Sequence, residues 1–248
     1  MIHVYGITHA NTALPGALEG LGQRPVRLVS QGELAAVVTD LDEPPRTRAD
    51  LDSHAQVQGA IVAEATLVPL RFGTLLEDEG ELREGLLGRH AGELRDVLAS
   101  VDGRVQMTVK AVYHEGTMLR EAVQAHPELK RESDRLSARN DREGDRDAWV
   151  RLGEHVAHIV EGRRLADEGA IVGALEPHAE QILVEEPGHE RMAARLQLLV
   201  RRDRRAALDA AVAALGAEQE PRMTLRYVGP LAPYSFSDLA LDGTAAWA

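Results

Sequence analysis

Between Arg104 and Tyr113 the side chains alternate, with Val105, Met107, Val109, Ala111 and Tyr113 apolar and their neighbours more polar. This two-residue period predicts a strand with one face against a core. The run "IHVYGIT" predicts an N-terminal strand ending near Gly6, and "PVRLVSQGELAAVVTDL" predicts a hairpin turning at Gln31-Gly32. After Pro44-Pro45 the period changes. Val57, Ala60, Ile61 and Glu64 fall at helical spacing, with Asp50 or Asp52 placed to cap the start. A second helical region carries Leu82, Leu86, Leu94, Val97, Leu98 and Val101, and Gly85, Gly88 and Gly92 predict a break in its middle.

Strand, hairpin, helix, strand, helix and strand in that order predict a ferredoxin-like α+β domain over residues 1–114. Residues 130–147 hold six cationic and six anionic side chains beside a single large apolar residue, Leu136, and read as a solvated helix or link. Trp149, Leu152, Val156, Ile159 and Val160 predict a further helix. "QILVEE", the turn Pro187-Gly188 and "ARLQLLVRR" predict a second hairpin. Leu208, Ala211, Val212 and Leu215 line one face of a helix, followed by the alternating "RMTLRYVG". The expected class is α+β with two domains. The second, residues 115–229, is a small antiparallel sheet with helices, and residues 230–248 form an ordered C-terminal tail.

Composition narrows the chemistry. With 44% apolar residues in 248 the chain can build real cores, and a net charge of −12 argues against nucleic acid and anionic membrane surfaces as partners. The absence of cysteine removes disulfides and thiolate chemistry and is compatible with a cytosol. Met1 leads straight into a strand, so neither a signal peptide nor a membrane span is expected. "GLGQRP" has Pro25 where a dinucleotide loop needs its third glycine, and neither a phosphate loop nor a GxSxG elbow occurs. His155 and His158 are three apart on a predicted helix but lack an HExxH frame, so no metal is expected. "RRDRR" at 201–205 reads as a solvated helix start. No catalytic residue, cofactor or metal is expected.

The segment "LVPLRFGT", residues 67–74, sets Arg71 in an apolar run and closes it with Phe72 and Gly73. Pro69 excludes a helix there. Arg71 reads either as a contact to a partner or as an arginine paired with a carboxylate whose stem covers apolar surface. Phe72 reads as core and Gly73 as a turn. The tail carries Tyr234, Phe236 and Trp247 of the chain's eight aromatics. An extended tail would aim Tyr234 and Phe236 at one surface with Ser235 and Ser237 outward.

"LVPLRFGT" resembles the VLPxRFGT segment of the gas vesicle protein F/L family (GvpF/GvpL). "GPLAPYSF" resembles that family's GPWPPYSF signature, departing at Leu231 and Ala232 where the pattern has Trp and Pro. The strand "IHVYGIT", a helix bearing His54 and the unit "LQLLVRRDRRAALDAAVAALG" follow in the family's order. The resemblance implies a two-domain α+β accessory protein of the gas vesicle, without catalytic activity. It also implies association with the small hydrophobic structural protein of the vesicle (GvpA-type) and with other accessory gas vesicle proteins, in the cytoplasm or on the vesicle. Arg71, Phe72, Gly73, Tyr234 and Phe236 are then candidate partner-contact or fold-signature residues. A different class of reading is a small-molecule enzyme or sensor using His54, Glu64 and Arg71 in a cleft between domains.

Overall fold

Strand β1, Ile2–His9, runs on through Gly6 instead of ending there, and its backbone register explains how it serves two cores. The structure, a computed structural model, describes residues 1–139 and 144–237. Hairpin strands β2 (Arg27–Gln31) and β3 (Leu34–Asp40) follow, and β1 pairs with β3 antiparallel. The register shifts between Val4 and Gly6, leaving Tyr5 in a bulge. A bulge moves the side-chain phase by one residue. Ile2, Val4 and Ile7 therefore share one apolar cluster, while His3, Tyr5 and Thr8 bond with groups of the opposite side.

Helix α1 (Arg48–Glu64) covers that opposite side through His54, Val57, Gln58, Ile61 and Val62. Thr47 is its cap. The Thr47 hydroxyl accepts from Asp50 N at 3.1 Å and Asp50 Oδ2 accepts from Thr47 N at 2.8 Å, so two orphan amides are satisfied reciprocally. Short strands β4 (Val68–Pro69) and β5 (Leu75–Leu76) both pair with β1, completing a sheet ordered β2-β3-β1-β4 with β5 beside β1. The other face of this sheet meets a π-helical segment, Glu81–Gly88, and helix α2 (Ala91–Ser100), through Leu82, Leu86, Leu87, Leu94, Leu98 and Val101. The change of winding falls in the glycine-bearing stretch where a break was expected. With both faces covered, β3 is buried from Leu34 to Thr39.

Strand β6 (Arg104–Tyr113) does not complete this first sheet. Both sides of β1 are already taken, by β3 and by β4 with β5, and β6 lies between two later strands. After it come α3 (Thr117–Ala125), α4 (Pro127–Arg139), α5 (Arg146–Leu175), β7 (Gln181–Glu185), β8 (Met192–Arg201), α6 (Arg205–Gln219) and β9 (Met223–Leu231). The second sheet is ordered β7-β8-β6-β9. Apart from the added helices, its succession is the β-α-β-β-α-β expected for residues 1–114, so that motif order is met later in the chain than anticipated.

The chain divides into two compact units that are discontinuous in sequence, unlike the consecutive segments expected. One comprises Met1–Met107, Leu198–Arg205 and the described residues from Val228 onward, and the other Thr108–Gln197 with Ala206–Tyr227. Side chains of the first unit account for its late segments. Arg202, within the run read as a solvated helix start, donates to Val62 O at 3.0 Å and Ala65 O at 2.9 Å, closing carbonyls at the C-terminal end of α1. In the second unit Arg222 donates to Glu121 Oε1 at 2.7 Å and Asp167 Oδ2 at 2.7 Å, and the Tyr113 hydroxyl donates to Asp167 Oδ2 at 2.7 Å. Burial alone would push the Asp167 carboxyl up, but the Arg222 and Tyr113 donors hold it below the usual range.

Candidate functional site

The segment "LVPLRFGT" is fixed first by backbone. Leu67 to Leu70 are buried, Gly73 turns the chain at φ +90°, and the Thr74 hydroxyl donates to Arg71 O at 2.8 Å. Such a φ is accessible to glycine at little cost, which agrees with the turn expected there. β4 passes so close to β1 that a Cβ on Gly6 would lie 2.5 Å from Val68 O. The turn leaves Arg71 exposed and Phe72 half-buried.

Behind Phe72 lies a buried polar cluster that patterning alone did not reveal. His3 Nε2 and His54 Nδ1 are 2.9 Å apart, and Phe72 stacks edge-on against His54 with ring centroids 5.7 Å apart. His54 Nε2 is 3.2 Å from the Tyr234 hydroxyl, which donates to Leu70 O at 2.8 Å and accepts from Gln58 Nε2 at 2.7 Å. Gln58 also donates to Tyr5 O at 2.7 Å. Since His3 Nδ1 has no hydrogen-bond partner, the arrangement with fewest unmet donors puts hydrogens on His3 Nε2 and His54 Nε2. The chain then runs His3 to His54 to Tyr234 to Leu70 O.

That directionality requires both imidazoles to be neutral. Burial, with the neighbouring His54, pulls His3 down to about 3, and Asp50 only partly opposes this. Burial likewise lowers His54 to about 4. The Tyr234 phenol is pushed up by burial, against the Gln58 hydrogen bond and the nearby Arg71 charge. The cluster is built to lock a conformation, because its imidazoles are enclosed and resist protonation.

Tyr234 and Phe236 both dock on the first unit, but the tail is not extended there. Tyr234–Phe236 forms one 3-10 turn, Phe236 packs against the apolar cluster under α2, and Ser237 is buried with its hydroxyl on Pro233 O at 2.8 Å. The turn, in place of a strand, is why Ser237 does not face outward. Ser235 N donates to Gln106 Oε1 at 3.0 Å. Tyr234 as a residue remains 43% exposed although its hydroxyl is inserted. Trp247 lies outside the described residues.

Phe72 and Tyr234 are therefore brought to His54, with Arg71 and Gly73 in the same turn as Phe72, whereas Phe236 packs on the apolar cluster of the other sheet face. Among the described residues Arg71 has no ion-pair or side-chain hydrogen-bond partner, so the carboxylate pairing considered for it is not found there, and its charge acts on the Tyr234 phenol. His54, Glu64 and Arg71 do not converge. Glu64 is exposed at the far end of α1, about 15 Å along the axis from His54 at 1.5 Å per residue. His155 and His158 are exposed on α5, and among the described residues no group of three or more His, Asp or Glu could hold a metal ion. No described helix is long and apolar enough to cross a membrane. Sequence reasoning missed His3 and Gln58. The available signal was Gln58 itself, a polar residue four after His54 on the apolar face of a helix.

Residues 1–238 match the family described as gas vesicle synthesis protein GvpL/GvpF. Gas vesicle protein F of Streptomyces sp. (strain CB03234) is 34% identical over 242 residues, covering 94% of this chain and 98% of that protein. Gas vesicle protein L of the same strain is 29% identical, covering 96% and 93%. The fold matches the crystal structure of GvpF from Microcystis aeruginosa with a TM-score of 0.80, at 21% identity, over 96% of this chain and 99% of that one. With GvpF from Anabaena sp. PCC7120 the TM-score is 0.84, at 21% identity, over 96% and 98%. The chain belongs to the GvpL/GvpF family of gas vesicle synthesis proteins, and its role lies in gas vesicle formation.

Proposed function

We propose that this chain is a non-enzymatic accessory protein of gas vesicle assembly that binds the small hydrophobic structural protein of the vesicle wall, in the cytoplasm or on the vesicle. The observation that carries the reading is family membership over nearly the whole chain. The site supports it. Its histidines are enclosed and held neutral, and Glu64 and Arg71 do not converge on them, an arrangement suited to holding shape. Phe72, Gly73, Tyr234 and Phe236 build the first unit, and the exposed Arg71, which has no side-chain partner among the described residues, is a candidate contact to a carboxylate of the structural protein or of another accessory gas vesicle protein.

The test is co-expression of the tagged full chain with the small vesicle structural protein, followed by capture on the tag and washing at rising salt. Retention of the structural protein is expected. Its absence from every eluate would overturn the reading.

A further inference from the structure

Two tyrosines orient the second sheet. The Tyr113 hydroxyl of β6 donates to Asp167 of α5, and the Tyr227 hydroxyl of β9 donates to Asp209 Oδ1 of α6 at 2.7 Å. Successive strand residues point to opposite faces, so odd-numbered positions of β6 and β9 meet the helices and even-numbered ones face away from them. That other face carries Lys110 and Val112, both half-buried, and the exposed Thr224 and Arg226.

The pairing of the strands aligns its charges. The Thr108 hydroxyl donates to Gln197 Oε1 at 2.6 Å and Arg202 N donates to Gly103 O at 2.9 Å, so β6 and β8 are antiparallel and Arg195 stands opposite Lys110. On the other side His114 N donates to Arg222 O at 3.0 Å, and a Cβ on Gly229 would lie 3.0 Å from Gln106 O, which sets Arg226 opposite Lys110. Arg195, Lys110 and Arg226 thus form a row across three adjacent strands, with neighbours about 5 Å apart. Arg195 is ion-paired with Glu185 of β7. Among the described residues the side chains of Lys110 and Arg226 have no hydrogen-bond or ion-pair partner.

Three cations against one carboxylate run counter to a chain net charge of −12. Like charges directly opposite are unfavourable, and an anion from outside relieves the repulsion. A second copy laid face to face on a two-fold axis through the row would bring the same cations against it. A nucleic acid or an anionic membrane extends far past three side chains and would meet the acidic remainder of the surface. Two carboxylates one helical turn apart do fit, because residues i and i+4 of a helix are about 5–6 Å apart, the spacing of Lys110 and Arg226. Val112, next to the row, meets an apolar residue of the same helix.

We propose that this face of the second sheet docks an acidic helix of the vesicle structural protein, with carboxylates one turn apart on Lys110 and Arg226. This rests on the binding role proposed above and names its surface and the chemistry of the contact.

The test uses the full chain co-expressed with the small vesicle structural protein. Lys110→Glu and Arg226→Glu reverse the two cations, and Arg151→Glu, the same charge change at an exposed position of α5, is the control. Capture should fall by at least about tenfold in the first two and stay at the wild-type level in the control, as expected when like charges are set against the partner. Melting temperatures should not fall, since each new carboxylate faces a remaining cation. Arg226→Glu, at the exposed position, keeps the test decisive should Lys110→Glu fail to fold. Equal capture by all variants, or equal loss in the control, would overturn the face assignment while leaving the binding role standing. Failure of the wild type to capture the structural protein overturns both. Lys110 and Lys130 are the chain's two lysines, so carbodiimide coupling of the wild-type complex gives a second readout. Lys110 should be joined to an Asp or Glu of the structural protein, and coupling through Lys130 without Lys110 overturns the proposal. Nucleic acid that copurifies with the wild type and is lost in Arg226→Glu would assign the row to phosphates and overturn it as well.

Discussion

The Tyr234 hydroxyl lies 3.2 Å from His54 Nε2, joining residues 180 positions apart through one hydrogen bond of a buried cluster. Tyr234→Phe keeps the ring and removes that oxygen, leaving the His54 Nε2 donor without its acceptor, while Gln58 Nε2 keeps Tyr5 O and Leu70 O. A loss of about 1–3 kcal/mol is expected. Chemical denaturation measures it, and a midpoint equal to the wild type would mean that the hydroxyl had been solvated all along.

His3 and His54 set a pH dependence. Their folded values, about 3 and about 4, lie below the ordinary 6.5, so the unfolded chain binds more protons across that interval. The contribution of the pair is complete above pH 6.5 and is lost as pH falls toward 4, on the order of a few kcal/mol. Denaturation at pH 8, 6 and 4.5 should show a decline that flattens in His3→Gln and His54→Gln. A decline of equal steepness in both variants would place the proton uptake elsewhere, for instance on carboxylates.

Gly6→Ala sets a methyl 2.5 Å from Val68 O, a backbone atom that can move only if β4 leaves β1. Destabilisation of about 3 kcal/mol is expected, at the upper end of overpacking costs. A crystal structure of the variant with β4 undisplaced and a melting temperature equal to wild type would refute this.

Arg222→Met removes the cation bonded to both Glu121 and Asp167, leaving only the more exposed Arg163 against Glu121. A loss of about 2–4 kcal/mol is expected, since the three groups are largely withdrawn from water. Adding Asp167→Asn should recover part of it. A double variant no more stable than the single one would show that charge repulsion is not the cause.

Much of the architecture was legible because period and punctuation agree. β6 alternates cleanly, α6 shows one apolar face, and the glycines at 85 and 88 mark where winding changes before α2. What alternation could not show was the bulge at Tyr5. Ile2, Val4 and Ile7 break the two-residue period yet share one core, so the strand looked shorter than it is. Nor does a strand's own pattern name its neighbours, and β6 has the same alternation whichever sheet takes it.

The candidate site was half legible. "LVPLRFGT" and "YSF" stood out by composition, whereas His3 and Gln58 are single polar residues inside apolar runs. Their meaning depends on partners brought from 51 and 176 positions away. Arg202 was obscured in the opposite sense, one cation among several in a run that looked wholly solvated, although it closes the end of α1.

The order in which the ribosome makes these groups matters. His3, His54 and Gln58 emerge early, but the hydroxyl that completes their cluster belongs to residue 234, so at about 5–20 residues per second the cluster waits many seconds for its last member. During that wait the nascent chain carries an open polar notch beside apolar surface. Ribosome-bound chains truncated just before Tyr234 are consequently the form of this protein that chaperones and proteases should recognise most readily.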